Sequence, residues 1–223
     1  MAGEGRMLSL ELRDIERGPA GDGAERVTLR TSAGTIDCRF HDVPHGDAAV
    51  LWVFGAGGGL GGPAGGLYAR LARQLVGDGV ASLELDYRRP GDLPNCVLDV
   101  LLGVSYLGTL GRSRVVLAGH SLGGAVVITA GATSEAVIAV AALSSQTHGT
   151  DLADQISPRP LLLIHGTADE VLPDTCSRAI HRRAREPKRL VLYPGCRHGL
   201  DQCREELDRD LLGWLRDVVG AQP

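Results

Sequence analysis

One short stretch, Gly119-His120-Ser121-Leu122-Gly123, has the composition of a turn that presents a nucleophilic serine. The apolar run 115–118 before it predicts a buried strand, and the apolar run 125–128 after it predicts the start of a buried helix. A serine at such a strand-to-helix junction projects its Oγ from the sheet near the positive end of a helix dipole. The glycines avoid backbone collisions in so sharp a turn. The pattern alone is weak, because an ordinary turn rich in small residues also matches it.

Two further loops supply the groups that a nucleophilic serine needs. Its hydroxyl requires an imidazole to accept the proton, and the imidazole requires a carboxylate to fix its tautomer. Asp169 follows the apolar run 161–164, and His198 follows the run 191–193. Carboxyl ends of parallel strands meet at one edge of a sheet, so we expect both residues beside Ser121. The order serine, acid, histidine is also a known order for such a triad.

Several neighbouring residues allow other interpretations. Glu170 is an alternative acid, and Asp169 could instead cap the helix that follows it. His165 lies within a predicted strand end, which favours a structural role. His120 occupies the variable position of the turn and is expected to pack or hydrogen-bond beside the site. His148 follows another strand and is a candidate pocket-lining residue.

An acyl-transfer site also needs two N–H donors for the oxyanion of its intermediate. The residue after the nucleophile, Leu122, is expected to supply one of them. The second is expected from the glycine-rich loop 55–62, where small residues let the backbone approach a ligand closely. Ala56 is the predicted donor, and Gly57 is the alternative.

Two arginines follow the central strand that ends near residue 85. Arg88 or Arg89 could pair with a carboxylate or phosphate of a substrate, although a surface ion pair is the commoner role. Arg88 is therefore kept as a candidate substrate contact.

A competing interpretation is a dinucleotide-binding loop. Gly57-x-Gly59-x-x-Gly62 matches that fingerprint, and the acidic residues Glu84 and Asp86 lie at roughly the expected distance from it. This interpretation explains one loop and leaves the serine, aspartate and histidine loops without a role.

Strands and helices alternate along most of the chain, which predicts a mainly parallel α/β sheet. One domain is expected over 1–223, with antiparallel N-terminal strands and a hairpin in 1–47 and a parallel core in 48–223. The predicted N-terminal elements are a strand at 8–15, a Gly/Pro turn at 18–23, and strands at 26–31 and 35–40. The predicted core strands are 49–54, 80–85, 114–118, 136–143, 160–164 and 189–192, and the predicted helices are 65–75, 95–107, 122–130, 174–185 and 201–219.

Composition narrows the possible partners. Residues are 43% hydrophobic and 22% charged, and 23 basic against 27 acidic residues give a net charge of −4. This balance gives no general attraction for nucleic acid or an anionic membrane surface. The N-terminus has no apolar signal-peptide core. We therefore expect no nucleic-acid or membrane partner. The serine, acid and histidine motifs predict a small-molecule acyl substrate, and the protein is expected to be a monomer or small homo-oligomer.

The five cysteines are odd in number and scattered, which argues against a disulfide framework and favours a reducing, cytoplasmic location. Cys196 and Cys203 flank His198, but their spacing matches no zinc motif, so we expect thiols without a ligating role. The residues between His41 and Asp47 form a second loose cluster, which is better interpreted as a solvated loop. No metal site is predicted.

Taken together, these motifs resemble the α/β-hydrolase superfamily from about residue 49 to the C-terminus. The serine turn resembles its nucleophile elbow, 166–173 its acid loop and 196–199 its histidine loop. The resemblance implies an eight-stranded, mostly parallel sheet with its second strand antiparallel, helices on both faces, and no cofactor. The chain departs from the family at Phe54, where many members carry histidine before the glycine.

Many members insert a helical lid before the acid loop, but here only 144–159 separate two predicted strands. The chain is therefore similar to compact, lidless esterases and thioesterases of the dienelactone-hydrolase type, although its nucleophile is serine, whereas a dienelactone hydrolase uses cysteine. The resemblance implies a serine hydrolase of small carboxylic esters or thioesters acting through an acyl-enzyme. The alternatives are C–C bond hydrolysis or perhydrolysis by the same triad, a non-catalytic receptor on this fold, and the dinucleotide-binding protein.

Overall fold

A nine-stranded sheet runs through the part of the chain that the computed structural model describes, residues 9–21 and 23–220. The spatial order is β1-β2-β3-β5-β4-β6-β7-β8-β9. The strands are β1 Leu12–Gly21, β2 Ala24–Thr31, β3 Gly34–His41, β4 Ala48–Val53, β5 Ala81–Leu85, β6 Arg114–His120, β7 Val137–Leu143, β8 Leu161–Gly166 and β9 Lys188–Tyr193. The helices are α1 Pro63–Gly77, α2 Leu93–Thr109, α3 Leu122–Thr133, α4 Thr175–Arg183 and α5 Arg204–Gly220.

Strands β4 to β9 pair in parallel and form the core of the sheet. Every residue of β4 is buried, as expected for a central strand covered on both faces. Apolar side chains of α2, α3 and α4 pack on one face, and those of α1 and α5 pack on the other. This arrangement confirms the predicted α/β class and brings the carboxyl ends of the core strands to one edge.

The sheet has nine strands, one more than the eight that the family resemblance implies, and β1 corresponds to the strand predicted at 8–15. β1 pairs with β2, and β3 is antiparallel to both of its neighbours, β2 and β5. The strand predicted at 8–15 is present but runs later, as β1, and shares residues 12–15 with the prediction. The turn predicted at 18–23 begins too early, since Gly18 and Pro19 lie within β1; Leu8 and Asp22 lie outside the described residues. β1 is an exposed edge strand, where a missing N–H and flexible glycines are tolerated.

The other elements lie within one to three residues of their predicted bounds. The start of α1 is irregular, because residues 64–66 have non-helical backbone angles. Here the N–H of Ala64 donates to Gly199 O, in the histidine loop, at 2.8 Å. A 3-10 turn, Asp201–Cys203, precedes α5.

The connection from β7 to β8 contains one 3-10 turn, Ala153–Gln155, in keeping with the expected lack of a substantial lid. Among the described residues, no helix has the length and apolarity needed to cross a membrane.

Candidate active site

Ser121 stands at the turn between β6 and α3, with φ 59° and ψ −120°. A positive φ is unusual for a residue with a side chain and requires support from its surroundings. The turn is so tight that a Cβ on Gly119 would lie 2.2 Å from Gly123 O, and one on Gly123 would lie 2.3 Å from Phe54 O. The N–H of Ser121 donates to Leu143 O at 2.8 Å. Glycine at both positions is therefore a steric requirement of the serine turn.

The three residues predicted as a triad meet at the carboxyl edge of the sheet. The ring nitrogen Nε2 of His198 lies 3.1 Å from Ser121 Oγ, and Nδ1 lies 2.7 Å from Asp169 Oδ2. The carboxylate of Asp169 is fully buried, whereas the His198 ring is 16% exposed. Glu170 is exposed, and the N-cap of α4 is Asp174, so neither alternative interpretation of the acid loop describes this geometry.

The Asp169 carboxylate is held as an anion. Burial alone would raise its pKa, but hydrogen bonds from the Leu172 N–H, the His198 ring and the Val171 N–H favour the ionised form. Both backbone donors bind Oδ1, at 2.8 and 2.9 Å, which leaves Oδ2 for His198. The net effect keeps the pKa of Asp169 below its ordinary value.

The glycine-rich loop lies directly against the serine. A Cβ placed on Gly55 would be 3.3 Å from Ser121 Cβ, and Gly58 N–H closes a tight turn by donating to Gly55 O at 3.0 Å. Within the described chain, the N–H groups of Ala56 and Gly57 are not used in this turn. The oxyanion role predicted for these N–H groups together with Leu122 stays a prediction.

Two acidic residues hold the far side of this loop. Asp86 Oδ1 accepts the Gly59 N–H at 2.6 Å, and Glu84 Oε2 accepts the Gly61 N–H at 2.7 Å. Glu84 is fully buried, and burial raises its pKa although the Gly61 N–H and nearby arginines oppose the effect. The dinucleotide interpretation assigned these carboxylates to a ribose, whereas the structure directs them at the backbone of the glycine loop.

Two tyrosines fix the strand that leads into the loop, and the sequence analysis did not identify them. The Tyr68 hydroxyl donates to Val53 O at 2.8 Å, and the Tyr87 hydroxyl donates to Phe54 O at 3.3 Å. Phe54, at the position where histidine was expected, packs its ring 5.4 Å from the ring of His120. Aromatic packing and tyrosine hydroxyls therefore stabilise this strand end.

His120 lies beneath the triad and is only 4% exposed. Its Nε2 lies 2.8 Å from the carbonyl oxygen of His198, so this nitrogen carries the proton and donates. Burial lowers the pKa of His120 to about 4, which keeps the ring neutral near pH 7. The ring centroids of His120 and His198 are 4.8 Å apart. His120 therefore positions the histidine loop and offers little surface to a substrate.

The remaining candidate contacts are arranged differently from the prediction. The Arg88 side chain is 2% exposed and forms an ion pair with the fully buried Asp99, so it is not available to a substrate. Arg89 beside it is exposed. His148 is exposed in the loop after β7, and its carbonyl oxygen accepts a hydrogen bond from Gln146 Nε2 at 3.0 Å.

The histidine loop is closed by a disulfide between Cys196 and Cys203. The expectation of unpaired thiols at these positions was wrong, and the argument for a reducing location loses its basis. Their spacing contained no signal of pairing; only the fold brings the end of β9 beside the turn before α5. Cys38, Cys96 and Cys176 are free. Among the described residues, no group of side chains is arranged to hold a metal ion.

Comparison with known proteins identifies the fold. No family model matches the chain. A 50-residue segment is 48% identical to the uncharacterized protein YfhR of Escherichia coli (strain K12), covering 22% of this chain and only 18% of that protein. The esterase domain from a Rhodothermus marinus protein matches with a TM-score of 0.71 and 21% identity over 88% of this chain and 99% of its own. Dienelactone hydrolase from Anabaena variabilis matches with a TM-score of 0.74 and 16% identity over 92% and 99%. The chain therefore has the α/β-hydrolase fold, and the resemblance seen in its motifs is confirmed at that level.

Proposed function

We propose that the protein is a serine hydrolase that cleaves small carboxylic esters or thioesters. The observation that carries this proposal is the continuous chain of contacts from Ser121 Oγ through His198 to Asp169, at 3.1 and 2.7 Å. An esterase domain and a dienelactone hydrolase share the fold, which supports hydrolytic chemistry in general. Fold alone does not decide activity, so the argument depends on the three side chains.

In the proposed mechanism, Ser121 Oγ attacks the acyl carbon while His198 Nε2 accepts the hydroxyl proton. Asp169 holds the His198 ring in the required tautomer and stabilises its cationic form. The oxyanion receives hydrogen bonds from the N–H groups of Leu122 and Ala56, with Gly57 as the alternative donor. His198 returns the proton to the leaving group, and water then hydrolyses the acyl-enzyme by the same steps in reverse.

Substitution of the nucleophile tests the assignment. Ser121→Ala should lower kcat for p-nitrophenyl acetate by about 10⁴ or more, with little change in stability. A fluorophosphonate probe should label the wild type and fail to label this variant. The matched control is Ser105→Ala, which removes an exposed serine hydroxyl from α2 and should leave both readouts unchanged. Wild-type turnover by Ser121→Ala would refute the proposal.

The acyl group is a separate question. Between β7 and β8 there is only a short 3-10 turn, so the site is proposed to be open to a small acyl substrate without a lid. A series of p-nitrophenyl esters of increasing chain length, each with and without an anionic group, would define the preferred substrate. Parallel assays with thioesters would decide which bond is cleaved faster.

A further inference from the structure

A second buried histidine lies against the carboxylate of the triad. His165 is at the end of β8 and is fully buried. Its Nε2 lies 2.9 Å from Leu172 O and 3.1 Å from Asp169 Oδ2. On the other side of the ring, Nδ1 lies 2.7 Å from Ser177 Oγ, which is also fully buried, in α4. Asp169 Oδ2 is therefore contacted by two histidines, His165 and His198.

The neighbours of the His165 ring determine where its proton is. Both atoms facing Nε2 are acceptors, a carbonyl oxygen and a carboxylate oxygen, so Nε2 carries the hydrogen. The Ser177 hydroxyl can then donate to Nδ1, which stabilises this neutral tautomer. The two oxygens at Nε2 thus determine the tautomer of His165, and the Ser177 hydroxyl holds the other side of the ring.

These contacts hold the acid loop from two sides. The N–H groups of Val171 and Leu172 bind Asp169 Oδ1, and the carbonyl of Leu172 accepts the proton of His165. The His165 N–H donates to that carbonyl, and the same nitrogen lies 3.1 Å from Asp169 Oδ2. His165 therefore contacts the acid loop both at its backbone and at the carboxylate.

We propose that His165, oriented by Ser177, is a positioning residue that fixes the acid loop and so holds Asp169 against His198. This inference rests on the proposed function. Without His165, the Leu172 carbonyl would lose its donor and Asp169 Oδ2 would lose one of its two histidine contacts. The carboxylate would then be held less firmly at its 2.7 Å contact with His198 Nδ1.

Three variants test this role. His165→Leu removes all three ring contacts at similar volume, His165→Gln keeps one donor and one acceptor, and Ser177→Ala leaves the ring but removes the partner of its Nδ1. With p-nitrophenyl acetate, we expect His165→Leu to lower kcat roughly tenfold with KM little changed, as for loss of the hydrogen bonds that hold the acid loop. His165→Gln should recover most of kcat, and Ser177→Ala should lower kcat by less than His165→Leu.

The result separates this inference from the proposed function. A wild type that neither turns over esters nor reacts with the fluorophosphonate refutes both. An active wild type with unchanged kcat in a folded His165→Leu, or a loss of kcat that His165→Gln does not recover, overturns only the role of His165. If His165→Leu does not fold, Ser177→Ala decides the question: an unchanged kcat overturns the inference, and a lower kcat with unchanged KM supports it.

Discussion

The ion pair between Arg88 and Asp99 predicts that Arg88 stabilises the fold and does not select substrates. Its guanidinium Nε donates to Asp99 Oδ1, and its backbone N–H donates to Oδ2 at 2.9 Å. The guanidinium also reaches Asn95 Oδ1 at 3.4 Å and Ala33 O at 3.3 Å, which ties β5 to α2 and to the turn before β3. Both side chains of the pair are almost completely buried, at 2% and 0% exposure.

Arg88→Met would leave the Asp99 carboxylate buried without its cation. Breaking a buried pair in this way costs about 3–5 kcal/mol of unfolding free energy. Burial already raises the pKa of Asp99, against the opposing effect of Arg88, so the carboxyl would take up a proton and the cost should be near the lower end. For a chain of this size each kcal/mol corresponds to about 2–4 °C in Tm, so Tm should fall by roughly 6–12 °C.

Thermal and urea denaturation of Arg88→Met would measure this loss. The matched control is Arg89→Met, since Arg89 is the exposed neighbour and should change stability by about 0.5 kcal/mol or less. The double variant Arg88→Met/Asp99→Leu should recover part of the loss, because it removes the unpaired acid as well. The ratio of kcat/KM for anionic and neutral esters should not change. A stable Arg88→Met with a selective rise in KM for the anionic ester would refute this reasoning.

Three further predictions concern the residues around the triad. Gly123→Ala should abolish fluorophosphonate labelling because its Cβ would lie 2.3 Å from a backbone carbonyl oxygen. The matched control is Gly213→Ala, at an exposed helix position with open space around it, which should raise the free energy of unfolding by about 1 kcal/mol in urea denaturation. Burial lowers the pKa of His120 to about 4 from 6.5, so between these pH values the unfolded chain binds a proton that the folded chain does not. The free energy of unfolding should therefore be fully retained above about pH 6.5 and should fall by up to about 3 kcal/mol toward pH 4. Denaturation at several pH values should show a less steep fall for His120→Gln. Glu84→Leu should lower kcat in the ester assay by about tenfold with little effect on KM, because the Gly61 N–H loses its acceptor. Glu84→Gln keeps an acceptor and should retain most of kcat in the same assay. Equal kcat in both variants would contradict a role of Glu84 in holding the glycine-rich loop.

The core of the fold could be predicted because local signals agree with one another there. Continuous apolar runs such as 48–53 are typical of central parallel strands, and alternation with helices leaves few possible topologies. The meeting of Ser121, Asp169 and His198 could be predicted for the same reason, since each residue follows a strand and the order along the chain is constrained. The distances among Ser121, Asp169 and His198 agree with that hypothesis.

Contacts between segments that are distant in the sequence could not be predicted from local patterns. Gly18 and Pro19 are typical of a turn, and only their place at the sheet edge allows them to lie in a strand. Arginine is typical of the protein surface, and the burial of Arg88 depends on Asp99 within the next helix. The tyrosine hydroxyls that hold residues 53 and 54 come from α1 and from the loop after β5, so no spacing in the sequence indicates them.

The covalent bond from Cys196 to Cys203 encloses His198 within a ring of the main chain. Thiol reductants open that ring by cleaving the sulfur–sulfur bond, and oxidants close it again. A sample prepared with reductant and a sample prepared without it therefore differ chemically within two residues of the proposed general base. Rate constants from different preparations are comparable only when the oxidation state of these two sulfur atoms has been measured and held the same.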